Sequence, residues 1–312
     1  PLHPLGPAGA RRFVLTAQEQ AIRPRRSVLY MPGANARALE KAKSLPADAL
    51  ILDLEDSVGP DAKEEARARV AEAVRGGGYG RREIVIRVNG MDTPWGEADL
   101  AAALAAGPNA VLVPKIAGPE DVAALNRRFA DAGASPDTKL WVMMETPLAI
   151  LSAQAIAAVA AAPGSRLEAF VMGTNDLAKE MSLTQTQERL PLVTALGICV
   201  LAARAYGVCL IDGVYNDIKN EAGFRESARQ GVEFGFDGKT VIHPSQVGPC
   251  NEIFSPPPEE IAAAREIIAA FEEPENKGKG VISLNGRMVE LLHAEIAKRT
   301  VAIADAIAAA EA

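Results

Sequence analysis

Eight times between Ser27 and Phe271, a short run rich in Val, Ile and Leu gives way to a longer Ala-rich stretch of helical period. The apolar runs are SVLYM (27–31), ALILDLE (49–55), EIVIRV (83–88), AVLVPK (110–115), LWVMME (140–145), EAFVMG (168–173), VCLID (208–212) and KTVIH (239–243). Helical stretches are expected over 35–44, 62–75, 95–105, 119–132, 148–161, 192–206, 217–230 and from 245 through 260 to 271. Several open on a helix-start signal such as Pro60-Asp61 or Pro119-Glu120. Strands alternating with helices imply βα units around a parallel sheet. Eight units in about 245 residues match a (β/α)8 TIM barrel, for which ~250 residues is typical; a doubly wound open sheet is the alternative.

The 312 residues are enough to bury a sizeable core. The expected division is an N-terminal extension (1–24), a barrel catalytic domain (25–273), and a hinge with a C-terminal helix (274–312). The hinge is PENKGKG (274–280), and the helix runs from about Gly286 to Ala309. That extra helical segment lies outside the eight units, so it packs back on its own barrel or on a neighbouring subunit. The first two dozen residues carry several Arg and lack the apolar centre of a secretory signal, which reads as a loose extension or the remnant of a targeting segment.

A formal charge of -7 argues against a nucleic-acid or anionic-membrane surface, while leaving room for a local basic pocket. No apolar run reaches the ~18 residues of a membrane span. Three cysteines, Cys199, Cys209 and Cys250, make no CxxC pair and no even framework, as expected of packing residues in a reduced, cytoplasmic protein.

Barrel enzymes carry their chemistry at the C-terminal ends of the strands. Here those ends supply Asp53 and Glu55, Arg87 and Asn89, Lys115, Glu145, Asp176 in GTNDL, Asp212 and His243. Asp53 and Glu55, two apart on a strand, are expected to face one ring with Arg87, Glu145 and Asp176, which compensates their charge. Asp56 is expected to point away and begin the next helix. Glu145 and Asp176 come from adjacent strand ends with no Cys nearby. Hard oxygen donors of this kind suit Mg²⁺ or Mn²⁺ with several retained waters; the alternative is a metal-free pair neutralised by Arg87 and Lys115. The Arg87 fork suits the carboxylate of an α-hydroxy or α-oxo acid, or an ion pair to Asp53 or Glu55. GFDGKT (235–240) is no P-loop: Glu233 stands where the first glycine belongs, and a strand follows where a helix should.

RSVLYMPGANARALEKA (26–42), LDLEDSV, RVNG, VPKI, ET, GTNDLAKE and GFDGKTVIHPSQV together resemble, in order, the HpcH/HpaI aldolase and citrate lyase β-subunit-like family. The branch most similar is that of the CoA-thioester lyases acting on malyl-CoA, methylmalyl-CoA or citramalyl-CoA. The resemblance implies a Mg²⁺-dependent barrel that breaks or makes a carbon–carbon bond beside a CoA thioester, giving acetyl-CoA or propionyl-CoA plus a 2-oxo acid. By matching block it implies Glu145 and Asp176 as metal ligands and Arg87 as the contact to the substrate acid. Asp53 and Glu55 orient Arg87 and metal-bound water, while Tyr30, Arg37, Lys41, Ile242 and His243 lie at the coenzyme A site. For His243 a capping role in the core is the other reading. The family's C-terminal catalytic Asp comes from a neighbouring subunit. Glu290 in LNGRMVELLH takes its place, Asn285 replaces an earlier Asp, and His293 reads as a surface or interface residue. Asn175 stands where many of the lyases have Glu. A homo-oligomer, trimer or hexamer, is implied. Three rival activities fit the same blocks: a malyl-CoA thioesterase, a 4-hydroxy-2-oxo-acid aldolase, and an acyl-carrier-dependent citrate lyase β-type subunit.

Overall fold

A computed structural model of the chain describes residues 22–311. Eight parallel strands close into a barrel: β1 (Ser27–Pro32), β2 (Ala49–Asp53), β3 (Glu83–Arg87), β4 (Ala110–Val113), β5 (Lys139–Met144), β6 (Leu167–Met172), β7 (Cys209–Asp212) and β8 (Gly238–Val241). Each pairs with its neighbour in sequence, and β8 returns to β1 through Val28↔Thr240. The TIM barrel expected from the eightfold alternation is the fold, and the open sheet is excluded.

Strand parity explains how polar side chains reach the centre. Val28, Ile51, Val85, Leu112, Trp141, Val171 and Ile211 fill the inside of the ring. Leu29, Leu50, Leu52, Ile86, Val111 and Val142 face the surrounding helices. Side chains alternate along a strand, so Asp53 continues the inward row of Ala49 and Ile51, and Arg87 continues that of Val85. Register then sets Asp53 directly beside Arg87. At the opposite end Arg25 closes the barrel floor, donating to Glu83 at 2.6 and 2.8 Å and to Glu168 at 2.7 Å while lying 5.0 Å from the Trp141 ring centroid.

Several boundaries differ from expectation. The helix expected over 148–161 breaks at Ser152 into Pro147–Leu151 and Ala153–Ala158. The stretch expected from 245 to 271 separates into Val247–Ile253 and Pro258–Glu272, because Pro256, Pro257 and Pro258 cannot continue a helix. The final helix does not begin at Gly286. Val281–Leu284 (β9) and Arg287–Glu290 (β10) form an antiparallel hairpin, and the helix spans Leu291–Glu311. Asn285 and Gly286 both have positive φ (51° and 74°), and Asn-Gly between alternating apolar residues is a strong signal for a two-residue hairpin turn.

Within the chain, Ile282 and Val289 of this hairpin pack on Ala270, and Arg265 pairs with Asp305 at 2.6 Å. The last turn of the final helix reaches the barrel floor, where Glu311 accepts from Arg26 at 2.9 Å. Residues 1–21 of the expected N-terminal extension lie outside the described residues.

Close packing between β8 and the segment leading into β1 gives a test. A Cβ on Gly238 would overlap the backbone carbonyl of Arg25. Gly238→Ala is therefore expected to lower stability by ~3 kcal/mol or more, read as a fall in the urea midpoint at unchanged m-value.

Candidate active site

A cavity of ≈ 340 Å³ opens at the C-terminal end of the ring, lined by residues that include Tyr30, Asp53, Asp56, Arg87, Asp176 and Ile242. Arg87 is its organising cation. Its Nε and Nη2 donate to the two oxygens of Asp53 at 2.6 and 2.8 Å, the bidentate geometry that a guanidinium fork favours. The Tyr30 ring covers it, with the guanidinium carbon 4.8 Å from the ring centroid. Its Nη1 donates to Asp56 at 3.1 Å. Asp56 therefore turns toward the site instead of away, because β2 ends at Asp53 and the chain curls there: Glu55 and Ser57 backbone amides both donate to the Asp53 carboxylate. Lys63 fixes that curl by donating to the carbonyls of Leu54 and Glu55 at 2.8 and 2.7 Å.

Glu55 shares Arg87 with these acids but is poorly served. Its Oε2 lies 2.7 Å from Arg87 Nη1, at an angle that gives an ion pair and no hydrogen bond, and no other donor reaches that oxygen. Burial pushes its carboxyl up to about 8; Arg87 opposes the shift, but Asp56, Glu145 and Asp53 add to it. Asp53 lies at the other extreme. Burial alone would raise its carboxyl, yet the charge and hydrogen bonds of Arg87 hold it below the usual carboxylate range. Burial raises the Tyr30 phenol well above its ordinary value, and its hydroxyl finds only the sulfur of Met143, at 3.7 Å.

Glu145 follows β5, buried at 1% exposure, and Asp176 sits in the first turn of the helix Thr174–Glu180 after β6, half-buried at 28%. Lys115 links them. Its backbone adopts a left-handed φ of 58°, which directs its N–H onto Glu145 Oε1 at 2.7 Å. Its ammonium stands 2.6 Å from Asp176 Oδ1 and 3.6 Å from Glu145 Oε1. Glu145 Oε2 is buried with no partner. Gly173 makes this closeness possible, since a Cβ there would overlap Glu145. Burial raises the Glu145 carboxyl, with Lys115 opposing.

Five carboxylates (Asp53, Glu55, Asp56, Glu145 and Asp176) thus surround two cationic side chains, Arg87 and Lys115. An orphaned buried carboxylate oxygen inside such a surplus of negative charge fits a divalent cation with oxygen preference. Among the described residues no cluster of three or more His, Cys, Asp or Glu could hold a metal, so water or substrate oxygens would complete the shell.

The other expected site residues do not converge here. Arg37 and Lys41 are exposed on the helix Ala36–Ala42 and do not line the cavity. Ile242 lines its rim, but the neighbouring His243 caps the following turn, its Nδ1 2.8 Å from Ser245 Oγ. Glu290 is exposed at the end of β10 and outside the cavity, its backbone N–H donating to His293 Nδ1 at 3.0 Å. Asp212, at the tip of β7, is fully buried and committed to Arg189 and Lys239. Lys115 stands as the expected neutraliser of Glu145 and Asp176, whereas Asp56 is the residue strand parity misplaces, because its role depends on a turn.

The sequence profile of the HpcH/HpaI aldolase/citrate lyase family matches residues 26–244. The chain belongs to that family. Family members with high similarity include a (3S)-malyl-CoA thioesterase of Cereibacter sphaeroides, 50% identical over 286 residues that cover 92% of this chain and 96% of that protein. A mitochondrial citramalyl-CoA lyase of Homo sapiens is 34% identical over 294 residues, covering 91% of this chain and 86% of that protein. Among solved structures, the CitE protein of Mycobacterium tuberculosis in complex with magnesium, acetoacetate and coenzyme A superposes with a TM-score of 0.68 at 27% identity, over 88% of this chain and 97% of that one. No helix among the described residues is long and apolar enough to cross a membrane.

The shared guanidinium gives a pH test. Glu55 is raised in the fold, so the folded state holds its proton more tightly than the unfolded chain. Stability should fall as pH rises through the window between the ordinary glutamate value of 4.5 and about 8. Chemical denaturation with chelator present should show this slope reduced in Glu55→Gln.

Proposed function

We propose that this family member hydrolyses the thioester of a short β-hydroxyacyl-CoA of the malyl type, giving free coenzyme A and a hydroxy acid, with Mg²⁺ as its metal. The choice of ester and of hydrolysis is supported by the 50% identity to a malyl-CoA thioesterase along 96% of its length. It reverses the order expected from the sequence motifs, in which carbon–carbon cleavage came first. The need for a metal is supported by the unpartnered Glu145 Oε2 beside Asp176.

Mg²⁺ (or Mn²⁺) held by Glu145 and Asp176 supplies Lewis-acid polarisation of substrate oxygens. For those oxygens to hold the cation, Lys115, whose side chain is 37% exposed, would have to release them. Arg87, the cationic residue lining the cavity, takes the substrate's carboxylate, and Asp53 fixes the plane of the fork. Glu55, poised near neutral pH, exchanges a proton with water. Tyr30 and Ile242 flank the mouth through which the thioester arm enters, with Arg37, Lys41 and His243 outside it for the coenzyme's phosphates.

Carbon–carbon cleavage of the same esters is the second reading, favoured by the likeness to citramalyl-CoA lyase. It calls for a carboxylate to move a proton at the substrate hydroxyl, and Glu290 of a neighbouring copy fills that role. The exposed apolar row of Val281, Met288, Leu291, Leu292 and Ile296 beside Glu290 suits burial against a second copy in a homo-oligomer.

Two measurements decide. With malyl-CoA, methylmalyl-CoA and citramalyl-CoA, in Mg²⁺ and in chelator, thiol and keto acid are followed separately. Thiol without keto acid is expected; keto acid without thiol would establish the lyase, and turnover confined to CoA-free hydroxy-oxo acids an aldolase. Activity on free esters excludes an acyl-carrier-dependent subunit. In the second, Mg²⁺ at ~100 times its dissociation constant should stabilise the wild type by ~2.7 kcal/mol, read as a rise in melting temperature. Glu145→Gln should abolish that rise.

A further inference from the structure

Between the Arg87 side of the cavity and its Glu145 side the floor is apolar, and Met143 forms it. This side chain follows Trp141 in the inward row of β5. It is 3% exposed, yet it lines the cavity. Its sulfur accepts from the Tyr30 hydroxyl at 3.7 Å, and the Tyr30 ring in turn covers Arg87. Its terminal methyl reaches the other way. A Cβ on Gly173 would lie 3.0 Å from Met143 Cε and 2.5 Å from Glu145 Oε2. The thioether therefore spans the gap between the residue that stacks on Arg87 and the residue that packs on Glu145. Gly173 brings no side chain to that gap, so its apolar surface comes from Met143.

We propose that Met143 is the specificity-determining residue for the hydroxyl-bearing carbon of the ester, and that its thioether admits a methyl group there as well as a hydrogen. The inference rests on the ester reading above and is indifferent to which bond is cut. In that reading Arg87 takes the carboxylate, the cation at Glu145 and Asp176 takes the hydroxyl, and the thioester arm leaves past Tyr30 and Ile242. All three of these groups spring from one tetrahedral carbon, so three of its four bonds are fixed. The fourth has only the floor to face. It carries hydrogen in malyl-CoA and methyl in citramalyl-CoA. In methylmalyl-CoA the extra methyl sits one carbon along the arm, nearer the mouth and away from Met143.

A thioether suits this place. Methionine is unbranched and polarizable and turns about three side-chain bonds, so it can yield to one added methyl and still pack against it. A β-branched side chain has one strongly preferred rotamer and lacks that freedom. An added methyl resting on the floor is also withdrawn from water, which offsets the cost of making room for it.

The test is a ratio measured within each preparation of the full chain. Consumption of malyl-CoA, methylmalyl-CoA and citramalyl-CoA in Mg²⁺ is followed whichever bond breaks. The kcat/KM of each substituted ester is divided by that of malyl-CoA, so a misfolded fraction lowers all three alike and cancels. The wild type should consume citramalyl-CoA within about tenfold of malyl-CoA. Met143→Ala, which deepens the floor, should raise the citramalyl ratio about tenfold. Met143→Gln, similar in length but polar, should lower it about fourfold. The methylmalyl ratio should stay within about twofold of wild type in both variants. The inference alone is overturned by an unmoved citramalyl ratio, by equal movement of both ratios, by loss of all turnover in both variants, or by a wild type that consumes malyl-CoA and no citramalyl-CoA. A wild type that consumes none of the three esters removes the ester reading, and this inference with it.

Discussion

One guanidinium shared among three carboxylates sets the character of this protein. Arg87 can pair ideally with one of them, and the register of β2 against β3 gives that place to Asp53. Asp56 stays partly in water, where its charge is cheap to keep. Glu55 has neither advantage, so its carboxyl is lifted toward neutrality. Lys115 faces a parallel shortage, one ammonium before Glu145 and Asp176. Desolvated like charges are tolerated when a ligand repays the cost elsewhere. The site is thus poised for a cation and for an anionic substrate that can exchange places with the internal pairs.

Much of this was legible in the chain. Periodicity sufficed for the barrel, because each strand is buried on both faces and each helix on one, so apolar run and amphipathic stretch alternate visibly. Parity likewise sufficed for Asp53 and Arg87, which simply extend inward rows, while Tyr30 came from the family resemblance. Motif order pointed to the family for the same reason: its polar residues occupy successive strand ends. What was not legible depends on backbone that leaves regular geometry. Asp56 reaches Arg87 through the curl after β2, held by a lysine ten residues past Asp53. Lys115 was legible as a neutraliser of Glu145 and Asp176, but the left-handed backbone after Pro114 that aims its N–H at Glu145 was not. The β9–β10 hairpin was hidden for a different reason: Asn285-Gly286 signalled the turn, but the long apolar helix behind it dominated the pattern.

Substrate handling follows from the same geometry. The rim on the β1 and β8 side carries Tyr30 and Ile242, while the β6 and β7 side carries Asn175 and Asn216. A ligand spanning the mouth therefore meets aromatic and aliphatic surface on one flank and amides on the other. Both flanks rest on charge buried deeper in the wall. Arg87 lies under Tyr30, and the Asp212–Lys239–Arg189 cluster underlies the loop bearing Asn216. Burial raises the Asp212 carboxyl, but the two cations outweigh it and keep the group ionised. A fully paired cluster of this kind resists deformation, since removing one member strands the others without water.

That division bears on how one scaffold serves both bond cleavages found among its relatives. Breaking the carbon–carbon bond asks for a proton acceptor at the substrate hydroxyl and for water to be kept from the thioester. Breaking the carbon–sulfur bond asks for water at the thioester and needs no acceptor at the hydroxyl. In either reading proposed above, the charged centre around Arg87 and Glu145 has one task, holding the acid end that is common to both. The choice between the two readings therefore turns on the periphery, where Asn175 and Asn216 pair beside Asp176.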